Sequence, residues 1–197
     1  MRAPKILVVA GSLRTGSTNA RLAALAAKEL ALAEGEVTRI SLAEYPLPLF
    51  DADFATDAGP PRNAVRLKQT LTAHQGIFIT SPEYSASVTP LLKNAIDWIS
   101  RVREHGEPYY AAFKGRVFAL GSASPSSAGG LRSLIALRQI LELGCGALVI
   151  PEQITVGRAE QAFDEMDNLK DENLAASLKA AARRLVDMAR QLARGIG

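Results

Sequence analysis

Five short apolar runs alternate with segments of helical periodicity, and this alternation constrains the fold more than any other feature of the sequence. The first run is continuous and ends at Gly11, which is typical of a strand buried on both faces. The predicted strands are Lys5–Ala10, Glu36–Leu42, Gly76–Thr80, Arg116–Gly121 and Ala147–Pro151. The predicted helices are Asn19–Ala33, Asn63–Ala73, Pro90–Val102, Leu131–Leu143 and Asp171–Ala193. The alternation predicts right-handed crossovers and a doubly wound α/β fold whose parallel sheet is covered on both faces.

Composition indicates a globular domain, because 48% of the 197 residues are apolar and 22% are charged. No Gly-, Ser- or Pro-rich linker divides the chain, so we expect one domain over residues 1–197. The single cysteine, Cys145, has no partner for an intrachain disulfide and predicts a reducing, cytoplasmic setting. The apolar runs are too short for a signal-peptide core or for the roughly 20 residues of a membrane span, so neither is expected.

The net charge of +3 raises the question of a nucleic-acid partner. Acidic and basic residues alternate along the chain, as in Lys170-Asp171-Glu172, and no basic stripe is interleaved with aromatic residues. We therefore expect no nucleic-acid partner. We also expect no metal site, because His74 and His105 are not accompanied by a cluster of carboxylates or cysteines.

The loop Gly11–Asn19 lies between the first predicted strand and the first predicted helix and consists largely of Gly, Ser, Thr and Asn. Glycines allow tight turns, hydroxyl groups donate hydrogen bonds, and the free N–H groups at the start of a helix attract anions. Arg14 adds a forked cation that suits a phosphate. The loop therefore predicts a site for one phosphate monoester, with Ser12, Arg14, Ser17, Thr18 and Asn19 as its candidate contacts.

A P-loop, a dinucleotide-binding loop and a simple helix cap are the other interpretations of this loop. Gly11 and Gly16 have the spacing of a P-loop, but Ser17 stands where that motif has its lysine. The dinucleotide fingerprint G-x-G-x-x-G is absent as well. Helix capping by Ser17 or Thr18 is the simplest structural role, although it leaves Ser12, Arg14 and Asn19 unexplained.

A second motif, Ser81–Trp98, resembles the P-E-Y-N-x-S-x-P-G-x-L-K-N-A-I-D-W signature of the NADPH-dependent FMN reductases. That flavodoxin-like family includes chromate, quinone and azo-dye reductases. The first loop resembles the family's G-S-x-R-x-x-S-x-N element, and Leu47–Asp53 resembles its L-P-L-[YF]-D-x-D stretch. The match extends over about Lys5–Pro151.

The resemblance implies a flavodoxin-like three-layer sandwich whose five-stranded parallel sheet has the order 2-1-3-4-5. It also implies that the whole chain is one FMN-binding domain and that the first loop holds the FMN phosphate. The second motif would run along the isoalloxazine ring, with a serine in place of the family's asparagine, and the loop after the fourth strand would reach the flavin edge. The residues implied beyond the first loop are Pro82, Glu83, Tyr84, Ser85, Ser87, Ser122 and Ser124.

The implied function is the transfer of two electrons from NADPH through bound FMN to quinones, azo compounds, metal oxyanions or free flavin. No catalytic side chain is expected, because the flavin carries the chemistry. The family forms homodimers or homotetramers, and two candidate interfaces are the proline-rich segment Ala43–Arg62 and a face with Asp97, Trp98 and Arg101. Trp98 could instead serve packing. The alternative function is a flavodoxin-like electron carrier without its own NADPH turnover.

Overall fold

A parallel sheet forms the centre of the protein in a computed structural model that describes residues 3–53, 59–104 and 106–195. Its strands are β1 (Lys5–Ala10), β2 (Glu36–Ser41), β3 (Gly76–Thr80), β4 (Val117–Ala123) and β5 (Leu148–Val156). They pair in parallel in the order β2-β1-β3-β4-β5. The predicted doubly wound fold and its flavodoxin-like strand order are confirmed.

Helices cover both faces of the sheet. They are α1 (Thr18–Leu32), α2 (Arg62–Thr72), α3 (Pro90–Arg101), α4 (Leu131–Gln139) and α5 (Glu172–Gly195). Alternate residues of β1 point to opposite faces, so Ile6 and Val8 pack with α1 and α5, whereas Leu7 and Val9 pack with the other three helices. The fourth helix, predicted over Leu131–Leu143, is α-helical only to Gln139 and continues as a π-helical turn over Ile140–Gly144.

The last two strands extend beyond their predicted ends. The fifth strand was predicted to end at Pro151, but β5 continues to Val156 although proline has no N–H for the ladder. Since β5 is an edge strand, and the register shifts between Phe118 and Leu120 beside Pro151, the missing N–H is tolerated there. β4 likewise continues past Gly121 to Ala123.

The proline-rich segment before α2 packs onto α3. The Trp98 side chain is fully buried, its Nε1 donates to Pro48 O at 2.8 Å, and its ring meets Phe50 edge-on at 5.1 Å. Asn94 adds two hydrogen bonds to the same stretch, accepting from Phe50 N and donating to Pro48 O. Trp98 therefore serves packing and is not part of an exposed interface. Residues 54–58 of the segment lie outside the described residues.

Buried hydrogen bonds at Asn19 join α1 to the carboxyl ends of two strands. Asn19 Nδ2 donates to Ala123 O at 2.7 Å, and Asn19 Oδ1 accepts from Ala123 N at 3.0 Å. The hydroxyl group of Thr80 donates to Asn19 O at 2.9 Å. These bonds hold the first turn of α1 against the ends of β3 and β4.

Two other groups singled out in the sequence are buried. Burial raises the pKa of Cys145 to about 11, so its thiol is protonated at neutral pH. His74 Nδ1 lies 2.7 Å from Thr70 O, and burial lowers the pKa of its ring. Within residues 3–53, 59–104 and 106–195, no three acidic, histidine or cysteine side chains form a group that could hold a metal ion; His105 is outside these ranges.

None of the helices in the described part of the chain combines the length and the apolar character needed to cross a membrane.

Replacing Asn19 with Ala is expected to lower the free energy of unfolding by about 2–4 kcal/mol, because the buried N–H and C=O groups of Ala123 both lose their partner. Urea denaturation measures this loss. Asn63→Ala is the matched control, since that side chain donates to Pro46 O at an exposed position. Equal losses for the two variants would contradict the role given to Asn19.

Candidate functional site

A cavity of about 250 Å³ lies at the carboxyl edge of the sheet. Four loops, which follow β1, β3, β4 and β5, contribute to its wall. The lining residues are Ser12, Arg14, Ser17, Thr18, Asn19, Pro82, Glu83, Tyr84, Ala123, Ser124, Pro125 and Glu160. This edge is where ligands bind in doubly wound sheets, beside the point where the strand order reverses.

The loop after β1 presents a cation and a helix amino terminus to the cavity. Ser17 N donates to Arg14 O at 3.1 Å, and Arg14 N donates to Ser12 Oγ at 3.3 Å. Ser17 Oγ accepts from Ala20 N and so caps α1. The Arg14 side chain is exposed and forms no hydrogen bond or ion pair with a described residue. A free guanidinium beside a helix amino terminus suits a phosphate.

Asn19 contributes to this anion site differently from its neighbours. Both polar atoms of its side chain are occupied by Ala123, so the side chain positions α1 instead of reaching into the cavity. The first turn of a helix nevertheless leaves backbone N–H groups without intrahelical partners. The amides of Thr18 and Asn19 are therefore the donors that α1 offers to an anion.

The loop after β3 forms a tight hairpin at the cavity rim. Tyr84 and Ser87 exchange two backbone hydrogen bonds, of 3.0 and 2.9 Å. The two residues between them, Ser85 and Ala86, have φ values of 48° and 62°, which place both in the left-handed region. Strain of this kind is found where the surrounding structure needs a particular turn. Here the turn leaves the Tyr84 side chain 49% exposed at the rim.

Glu83 joins this hairpin to α4. Its carboxylate accepts from Arg132 Nε at 2.7 Å, from Arg132 Nη2 and from Arg132 N. The hydrogen bond from the Arg132 side chain lowers the pKa of the Glu83 carboxyl group. The residue before α4 is Gly130, which has no side chain to cap the helix, so Glu83 supplies the missing acceptor from another loop.

The loop after β4 places one predicted serine on the cavity wall and one beneath it. Ser124 lines the cavity, and its Oγ accepts from Ser126 N at 3.3 Å. Ser122 lies within β4, is fully buried, and its Oγ has no hydrogen-bond partner among the described residues. A side chain at position 130 would collide with Ser122 Oγ, so Gly130 allows the loop to fold over the strand.

Comparison with known proteins decides the family. The family model of the NADPH-dependent FMN reductases matches residues 4–161. The chain belongs to this family. A quinone reductase of Escherichia coli is 36% identical over 138 residues, which are 70% of this chain and 69% of that protein. An NAD(P)H-dependent FMN reductase of Pseudomonas aeruginosa is 33% identical over 170 residues, which are 85% of each chain.

A solved structure agrees with this FMN reductase assignment. FerB, a flavoenzyme NAD(P)H:(acceptor) oxidoreductase from Paracoccus denitrificans, has a TM-score of 0.76 and 28% sequence identity. The likeness covers 95% of this chain and 98% of that one. The predicted family, its enzymatic nature and its cofactors FMN and NAD(P)H are confirmed.

Most of the predicted FMN contacts are brought together by the fold. Those on the cavity wall are Ser12, Arg14, Ser17, Thr18, Asn19, Pro82, Glu83, Tyr84 and Ser124. Ser85 and Ser87 belong to the hairpin but do not line the cavity, and Ser122 lies beneath it. Ser122 was predicted to lie in a loop, because the predicted end of β4, Gly121, is two residues before the observed end at Ala123.

Three lining residues were missed, namely Ala123, Pro125 and Glu160. Ala123 and Pro125 flank the predicted Ser124, so their position in the chain was a usable signal. Glu160 lies in the loop after β5, and the signal that could have found it is the observed end of this strand at Val156, since ligands bind beyond the carboxyl ends of such strands.

Replacing Arg14 with Ala is expected to weaken FMN binding about tenfold to a hundredfold, because a hydrogen-bonded charge pair with the phosphate is lost. Riboflavin has no phosphate, so its affinity is expected to change by less than about twofold. Quenching of flavin fluorescence during titration measures the dissociation constants of FMN and of riboflavin. Arg39→Ala, at an exposed position on β2, is the charge-matched control. Equal losses for FMN and riboflavin would contradict the phosphate site.

Replacing Glu83 with Gln is expected to destabilise the protein most near neutral pH. Because folding lowers the pKa of Glu83, its ionised form stabilises the fold above the ordinary carboxyl value of 4.5, and this contribution is lost as the pH falls through the folded value. The difference in unfolding free energy between wild type and variant, measured by urea denaturation from pH 7 to pH 3, should therefore shrink in acid.

Glu165→Gln removes one charge at an exposed position and serves as the control for Glu83→Gln. A difference between wild type and Glu83→Gln that stays constant with pH would show that the Glu83 carboxylate does not stabilise the hairpin through Arg132.

Proposed function

We propose that the protein binds FMN in the cavity at the carboxyl edge and uses it to pass two electrons from NADPH to a quinone or to free flavin. One observation carries this proposal: a single cavity joins an anion site, made of Arg14 and the amino end of α1, to a rigid hairpin that exposes Tyr84. A phosphate at one end and a flat ring at the other are the two parts of FMN. The relatives named quinone reductase support the choice of acceptor.

Different residues of the cavity would bind different parts of FMN. Ser12, Arg14 and the first-turn amides of α1 would bind the phosphate. Pro82 and Tyr84 would lie along the ring, on a hairpin that Glu83 fixes to α4. FMN supplies the two-electron chemistry when it is bound, so the protein needs no acid, base or nucleophile of its own.

The coenzyme and the wider range of acceptors belong to the same proposal. The net charge of +3 favours an anionic dinucleotide, and we propose NADPH, after the family. Azo compounds and metal oxyanions are included as acceptors, because a half-exposed rim such as that at Tyr84 suits small molecules of different shape. We place the reaction in the cytoplasm. The single cysteine is buried and free, and a protein without disulfides is typical of a reducing compartment.

We further propose that residues 1–197 act as one FMN-binding domain and assemble as a homodimer or homotetramer. The outer face of α4 exposes Leu131 and Ile135, which lie one turn apart, next to the Glu83–Arg132 pair. A second copy on this face would cover both side chains and approach the cavity rim. Trp98 is buried and Asp97 pairs with Lys93, so the interface first expected around them is the weaker candidate.

Sedimentation velocity is expected to give the mass of a dimer or tetramer, because exposed apolar side chains in one patch favour association. Leu131→Glu combined with Ile135→Glu should shift the protein toward the monomer. The control is Leu32→Glu, at an exposed position at the end of α1. A wild-type protein that sediments as a monomer at all concentrations would contradict the proposed assembly.

Purified protein with bound FMN is expected to oxidise NADPH in the presence of a quinone several times faster than the same concentration of free FMN. Absorbance at the NADPH band measures the rate. Arg14→Ala should fall to the free-FMN rate at low FMN and recover when FMN is raised, because its defect is in cofactor binding. Electron uptake without turnover above free FMN would instead identify an electron carrier.

A further inference from the structure

A carboxylate stands in the wall of the anion site. Glu160 lines the cavity together with Arg14 and the amino end of α1, and its side chain is exposed. It forms no hydrogen bond or ion pair with any residue in the described part of the chain. The other acidic residue of the wall, Glu83, is held by Arg132. Glu160 is therefore the lining carboxylate whose charge the chain leaves uncompensated among the described residues.

Backbone contacts link the segment of Glu160 to the loop after β4 and, through that loop, to the first turn of α1. Ala159 N donates to Ser124 O at 3.1 Å, which fixes the neighbouring residue to the loop after β4. Ser124 follows Ala123, whose backbone is paired with Asn19 in the first turn of α1. These hydrogen bonds thus link the segment of Glu160, through the loop after β4, to the helix terminus that offers N–H donors.

The segment that carries Glu160 is firmly held. Ala159 is fully buried, and Arg158 N donates to Ser126 O at 3.2 Å. Arg158 has a φ of 47°, a left-handed conformation that is costly for a residue with a side chain. The backbone directly before Glu160 is thus fixed relative to the loop after β4, which keeps Glu160 at this wall.

A negative charge at this place opposes a phosphate. The first turn of α1 contains no acidic residue of its own, and Glu83 is paired with Arg132, so Glu160 is the lining carboxylate without a described counter-ion that shares the cavity with this helix terminus. A phosphate monoester carries about −1.5 to −2 charges at pH 7, since its second ionisation lies near pH 6. Repulsion from a carboxylate in the same cavity is therefore stronger for the dianion than for the monoanion.

We propose that Glu160 is a specificity-determining residue that weakens binding of the FMN phosphate, above all of its dianion, and so makes FMN an exchangeable ligand. The inference rests on the proposed function, because it takes the cavity to hold FMN. It adds a role for the cofactor: FMN that leaves the cavity readily can be both the bound electron carrier and the flavin that the protein reduces and releases.

Titration of wild type, Glu160→Gln and Glu165→Gln with FMN and with riboflavin tests this proposal. Glu160→Gln is expected to bind FMN about threefold to tenfold more tightly at pH 8, and to show a smaller gain at pH 5, where the phosphate is a monoanion. Riboflavin affinity should change by less than about twofold. Glu165→Gln loses the same charge at an exposed position outside the cavity wall and should leave FMN affinity within about twofold.

Failure of the inference and failure of the proposed function give different results. Unchanged or weaker FMN binding by Glu160→Gln would overturn the inference, as would an equal gain for Glu165→Gln or for riboflavin. These results would leave FMN binding itself intact. A wild-type protein that binds no FMN would overturn the proposed function together with this inference.

Discussion

The side chain of Asn19 forms two hydrogen bonds with the backbone of Ala123, and its backbone oxygen accepts a third from Thr80. Asn19, Ala123 and Thr80 are all buried, so water does not compete for these hydrogen bonds. They fix the amino end of α1 where β3 and β4 end, and the loops before α1 and after β4 meet there as a result. Thr89 adds a similar link, because its hydroxyl group donates to Gly11 O and caps α3.

Some charged residues around the cavity form structural ion pairs, and others have no such partner among the described residues. Glu83 and Arg132 neutralise each other and tie the hairpin of Tyr84 to α4, so the Arg132 guanidinium is not free to bind an anion. Arg14 forms no such pair with a described residue and remains available, together with the amino end of α1. Glu160 opposes them from the same cavity. In the proposed site, the balance among Arg14, the helix terminus and Glu160 would set how firmly a phosphate is held.

Local sequence patterns were sufficient for the features that depend on neighbours in the chain. Lys5–Ala10 and Gly76–Thr80 were predicted with their observed bounds, because buried strands are continuous apolar runs. The cavity loops after β1 and β3 were found because their polar residues follow directly on such runs. The strand order came from the resemblance to a known family and not from the pattern itself.

Features that depend on distant partners could not be predicted in this way. Asn19 was expected to bind phosphate, but its side-chain partner Ala123 is 104 residues away, and no local signal marks that pairing. The fifth strand was predicted to end at Pro151. Its continuation to Val156 depends on irregular pairing at the sheet edge, which is a property of the fold and not of the local sequence. The most direct test of the proposed site is a crystal structure of the FMN complex. We expect the phosphate against Arg14 and the first turn of α1, with the ring along Pro82–Tyr84; a flavin bound outside this cavity, or in the reverse orientation, would contradict the proposal.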